Sequence, residues 1–119
     1  MDKLLEKLSQ IDFEGLNVDE LLDNRDREPF DSEWTRVYKE VGNLKKENGF
    51  TDAQKKYSIE ISKKAFMTIS NLSGYGELAE YVSDDFCLIA DSKQIFYSDE
   101  WLNKLIEKYN NAVIPSGEL

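Results

Sequence analysis

The sequence contains no histidine and only one cysteine in 119 residues, and these two shortages exclude a good deal of chemistry. Without histidine, the commonest general base, the commonest metal ligand and the usual activator of a serine or cysteine nucleophile are all missing. Cys87 has no second cysteine with which to form an intramolecular disulfide or a structural zinc site, so it is read as a small buried apolar side chain. No run of about 18 apolar residues occurs, so no membrane-spanning helix is expected. The opening residues, Met1 to Lys7, have neither the apolar stretch of a secretion signal nor the Arg-rich, acid-poor pattern of a transit peptide, which makes the cytosol the expected compartment.

Other chemical signatures are missing as well. There is no Gly-x-x-x-x-Gly-Lys-Ser/Thr loop, and the Gly-x-Gly fragment in Ser73-Gly74-Tyr75-Gly76 reads as a turn. Asp23 to Glu28 looks like a cation loop, but Arg25 and Arg27 stand where such a loop needs ligands or its glycine. Glu77, Glu80 and Asp84 share a helix, yet no Glu-x-x-His pair exists to complete a two-metal site. We therefore assign no catalytic residue, no metal ligand and no cofactor. A hydrolase working through carboxylates alone ranks last among the readings.

What the chain does have is acidity, unevenly placed. Its formal charge is −9. Residues 1–33 carry 11 acids and 4 bases, residues 34–72 carry 4 acids and 8 bases, and residues 73–119 carry 9 acids and 3 bases. A chain of this sign repels phosphate backbones and anionic lipid, so neither nucleic acid nor membrane is an expected partner, and a basic protein is.

The hydrophobic spacing is helical almost throughout. Leu4, Leu5 and Leu8 mark a short first helix, and Asn17 is placed to cap a second brief one. Asp23 to Phe30 reads as a charged loop. Trp34, Val37, Tyr38, Val41 and Leu44 form one stripe of a helix over 31–48, with Gly49 beyond its end. Thr51 and Gln54 form a capping box for a helix carrying Tyr57, Ile61, Ala65, Ile69 and Leu72. These two helices are expected to pack as an antiparallel pair. A further helix covers 77–90, and a last one runs from a Ser98 cap through Trp101, Leu102, Leu105, Ile106 and Tyr109. Residues 86–97 suit a helix or a short β-hairpin equally, since short apolar runs do not separate the two. The expected fold is one all-α domain, 1–119, a bundle of five to six helices with 112–119 as a flexible tail. Its core is expected to hold Val37, Val41, Leu44, Ile61, Ala65, Ile69, Leu78, Val82, Phe86, Leu102, Leu105 and Ile106.

Candidate binding residues follow from the 77–91 helix. At about 100° per residue, Leu78, Val82, Phe86 and Ile89 share one face, while Glu77, Glu80, Asp84 and Asp91 lie nearly opposite with Tyr81 and Leu88 beside them. Acids steer a basic partner and an aromatic among them supplies affinity, so these six residues are the candidate site. A helix buried on two faces is the competing explanation for Tyr81 and Leu88.

From about residue 81 to 115, the Tyr81 to Asp91 segment, the Ser98 to Leu105 segment, Tyr109 and Pro115 resemble the C-terminal part of small bacterial immunity proteins encoded beside contact-dependent growth inhibition toxins. The resemblance covers about a third of the chain. It implies a helical cytosolic protein that neutralises the C-terminal domain of a delivered toxin, commonly a nuclease, by stoichiometric binding. It also implies an alternative helix start at Ser83, with Asp84 and Asp85 in its first turn, which would divide the 77–91 helix. An acidic adaptor or regulatory protein docking on a host assembly is the alternative function.

Overall fold

The computed structural model describes residues 1–119 and contains six helices and no strand. They are α1 (Asp2–Leu8), α2 (Val18–Asp26), α3 (Phe30–Asn48), α4 (Asp52–Ser73), α5 (Gly76–Gln94) and α6 (Glu100–Asn110). No helix is long and apolar enough to cross a membrane.

Local sequence sets most helix ends. Asn17 accepts the Glu20 amide at 3.1 Å and so starts α2. At the start of α4 the Thr51 hydroxyl accepts from the Gln54 amide (3.1 Å) and the Gln54 side chain accepts from the Thr51 amide (2.8 Å), the reciprocal capping box expected from the sequence. Thr51→Ala should therefore lower stability by about 1 kcal/mol, read as a lower urea midpoint with an unchanged slope. Gly74 ends α4 in the left-handed region at φ +76, and with Tyr75 it reverses the chain into α5.

The tightest packing in the molecule is this α4–α5 hairpin. Its sense is antiparallel: Gln94, at the end of α5, donates to the Gln54 carbonyl and the Ser58 hydroxyl near the start of α4, both within 3.0 Å. The expected pairing of α3 with α4 gives way to this one, because the Gly74-Tyr75 connection is as tight as Gly49 to Thr51 and α5 is the more apolar neighbour. Leu78, Ala79, Val82, Phe86, Leu88, Ile89 and Ala90 are all buried, so α5 is covered on two sides and is the central element. That burial also settles residues 86–97: the helix continues unbroken through Ser83 and on to Gln94, with neither hairpin nor division.

One core contains residues from every helix, including Leu8, Leu21, Phe30, Val41, Ile69, Phe86 and Leu105. Of the twelve residues expected there, ten are buried; Ile106 is half-buried and packs against the core from its edge, and Leu44 is half-buried outside it. Three other expectations are corrected. The stretch expected as a charged loop from Asp23 is helical as far as Asp26, with Arg25 only 3% exposed. The last helix is capped by Asp99, not Ser98, because Arg36 grips both Asp99 oxygens (2.9 and 3.1 Å) and fixes that carboxylate over the Leu102 amide. Within the segment expected as a tail, Ile114 and Pro115 are buried.

Candidate partner-binding surface

Arg25 and Asp85 both lie on stripes that face the core, and they meet there. In α2, Val18, Leu21, Leu22 and Arg25 recur at helical spacing; in α5, Leu78, Val82, Asp85, Phe86 and Ile89 do the same. The Arg25 guanidinium grips Asp85 through two bonds of 2.8 and 2.7 Å and also donates to the Pro115 carbonyl at 3.2 Å. Asp85 accepts further bonds from the Trp34 indole (2.9 Å) and the Tyr109 hydroxyl (2.6 Å). The carboxylate is fully buried and takes four hydrogen bonds, which offset the cost of removing it from water.

Burial disfavours the Arg25 cation, but Asp85 more than compensates and holds its pKa above the usual value. Burial and the adjoining Asp85 charge raise the Tyr109 hydroxyl well above the ordinary tyrosine range, so it stays a neutral donor. The rings of Phe30 and Tyr81 lie 4.6 and 5.1 Å from the guanidinium carbon. This cluster ties α2, α3, α5, α6 and the C-terminal segment together. It is buried, has no open reacting position and reads as scaffold.

Above it lies a small cleft of about 250 Å³ whose walls include Asp26, Asp31, Thr35, Tyr81 and Asp84. The Tyr81 hydroxyl donates to Asp26 at 2.6 Å, joining α5 to α2. That bond, then burial and the Asp26 charge, push its pKa up to about 12. Glu77, Glu80 and Asp84 are exposed on α5, with Tyr81 half-buried between them. Residues from the acidic first and last thirds of the chain thus share one face.

Of the six candidate residues, the structure places Glu77, Glu80, Tyr81 and Asp84 on this surface. Leu88 is only 3% exposed and Asp91 only 8%, because α5 is covered on the side where they point. Asp91 is also neutralised by Lys45 at 2.9 Å. Both nevertheless line a larger groove between α3 and α5, to which Asp84 also belongs. Asp26, Asp31 and Trp34 join the six candidates at this surface; for Asp26 the signal in the sequence is Arg25 at the i+7 place of the α2 stripe, which turns its neighbour Asp26 outward.

Asp84 is held against its own preference. Loss of water, then the charges of Asp85 and Glu80, raise its pKa above the ordinary aspartate value. A folded-state pKa above the unfolded one means that ionisation opposes folding as pH rises through the two. Asp84→Asn should therefore melt at a higher temperature than the parent at pH 7, and the gain should disappear below about pH 4, where the aspartate is protonated in both states. Thermal melts at the two pH values measure this; a gain that persists in acid would show that charge is not its source.

The Cys87 thiol, half-buried in the groove wall, is pushed up to about 11 by burial and then by Asp91, so it is a neutral and poor nucleophile. No group of three or more Cys, Asp or Glu side chains is placed to hold a metal ion. What the surface offers is charge and aromatic area, which is binding chemistry.

Among curated proteins and among solved structures, no match to the chain is found. A family model does match: that of Immunity protein PIM1, over residues 2–116. The match extends the likeness to immunity proteins from the last third of the chain to nearly all of it, without specifying the contact-dependent kind. Membership implies binding to a cognate toxin, and on that span of residues the chain belongs to the Immunity protein PIM1 family.

Proposed function

We propose that this protein acts in the cytosol as a stoichiometric inhibitor of a basic toxin domain, a nuclease delivered by a contact-dependent system, and that Glu77, Glu80, Tyr81 and Asp84 carry much of the contact. The observation that carries this reading is the convergence of exposed acids from α2 and α5 around Tyr81, in a chain whose family is one of immunity proteins. A nuclease must present cations to a phosphate backbone, so an acidic protein is drawn to the surface that matters most to the toxin. Asp84 supports the reading in another way, since a charge kept at a cost in stability fits a residue selected for binding.

The test is rescue of growth. The protein is co-expressed with the C-terminal domain of the larger protein encoded immediately upstream, and cells should survive only when both are present. Survival unchanged by the immunity partner, together with failure of the two purified proteins to co-elute, would sink the proposal. An in vitro nuclease assay on the toxin domain, with and without one equivalent of this protein, separates the nuclease claim from the inhibition claim.

A further inference from the structure

The groove between α3 and α5 is chemically unlike the face beside it. It encloses about 770 Å³, and its floor is apolar, formed by Val41, Leu88 and Cys87. Trp34 and Tyr38, stacked 5.3 Å apart, stand on one side, and Phe50 lies under Lys45 at 4.9 Å on the other. Four lysines and two aspartates line it, a net of +2 in a chain of −9. Lys45 is already paired with Asp91, whereas Lys39, Lys46 and Lys55 are exposed on the rim and make no ion pair. Trp34 and Asp84 line both this groove and the acidic cleft, so the two are continuous across that ridge.

Resting on the immunity reading, we propose that this groove is a second docking site of the same interface and takes an acidic segment of the toxin domain, with an aromatic or aliphatic side chain seated on Leu88 and Cys87. Three unpaired ammonium groups around an apolar floor match carboxylates flanking a hydrophobic residue. The stacked Trp34 and Tyr38 offer rigid area of the kind that anchors interfaces. A nucleic acid strand fits worse, since its phosphates continue at regular spacing and would run from the groove into Asp84 and the acidic cleft. A protein segment changes sign along its length. Carboxylates in the groove and cations in the cleft make the interface bipolar, and a partner with uniform charge is rejected at one end or the other.

Two readouts test this. The first uses a fluorescein-labelled acidic peptide, Glu and Asp residues around one Phe and one Leu, titrated with the full chain by anisotropy. A version with lysine for each acid and an oligothymidylate of equal charge serve as comparators. The acidic peptide should bind about tenfold or more tighter than the lysine version, lose about tenfold in the double variant Lys39→Glu with Lys46→Glu, and weaken with salt. Both lysines are exposed, so the variant should melt as the parent does. No binding, equal binding of the two peptides, binding indifferent to the double variant, or tighter binding of oligothymidylate would each overturn the proposal. The second readout is growth rescue by the same variant. Failure of the parent to rescue removes the toxin reading and leaves the peptide result to stand as a property of the groove. Rescue by the parent with no peptide binding removes the groove and leaves the toxin reading.

Discussion

Asp85→Ala should unfold the protein or come close to it. The substitution leaves Arg25 buried and charged with only the Pro115 carbonyl to accept from it, and it orphans the donors of Trp34 and Tyr109 as well. Breaking a buried ion pair on one side costs about 3–5 kcal/mol, and each abandoned donor adds about 1–3 kcal/mol. Set against a total stability of about 5–15 kcal/mol, little remains. Removing both charges is a different experiment: Arg25→Met with Asp85→Leu eliminates the unpaired cation and the unpaired anion together, so the double variant should be more stable than either single one. Urea unfolding of the four proteins gives the coupling between the pair. If the single variants melt cooperatively within about 1 kcal/mol of the parent, the cluster is not what holds α2 against α5. Tyr109→Phe, which removes one hydroxyl and keeps the ring against Phe86, should cost much less, about 1–2 kcal/mol.

Charge reversal on the acidic face should have the largest effect on function. Replacing Glu80 and Asp84 together with lysine should slow association with a basic toxin domain by about 10–10³-fold at low ionic strength. The loss should narrow as salt is added, because screening over about 8–10 Å removes the parent's advantage first. Tyr81→Ala should act differently, raising the off-rate, since a half-buried aromatic contributes after contact. Its ring also lies over Arg25, so Tyr81→Phe is the necessary companion: it keeps that packing and removes only the bond to Asp26. Surface plasmon resonance at two salt concentrations reads both rates. On- and off-rates within about twofold of the parent in the Glu80/Asp84 variant would remove this face from the interface.

The helices were legible in the sequence because their signals are local. Thr51 and Gln54 are three residues apart, Asn17 and Glu20 likewise, and the stripes through Val41 and Ile61 repeat at fixed intervals. Pairing was not, since two tight turns lie on either side of α4 and only the burial of α5 on both faces decides between them. The acidic face was half legible. Spacing found Glu77, Glu80 and Asp84, but helix geometry alone does not say how much of the circumference a neighbour covers: Leu88 and Asp91 line the groove against α3 instead of standing on the exposed acidic face. Arg25 and Asp85 show the opposite case. Each breaks an apolar stripe in its own helix, and a base and an acid both at core positions are better explained as one buried pair than as two separately solvated charges.

The Asp85 cluster also bears on the order in which the molecule assembles. Its donors stand 60, 51 and 24 residues away along the chain, at Arg25, Trp34 and Tyr109, and Arg25 reaches 90 residues further to Pro115. The α4–α5 hairpin needs no such reach and can close as soon as its turn forms. Distant closures carry a larger entropic toll and return nothing until several are made, so the hairpin is expected to fold first and present Asp85 as an unsatisfied carboxylate on a preformed helix. Capture of that carboxylate by Arg25 and Tyr109 then comes late, after the hairpin has committed the chain. Substitutions at the cluster should consequently fall mainly on the unfolding rate, and those along Ile61, Ala65 and Ile69 on the folding rate.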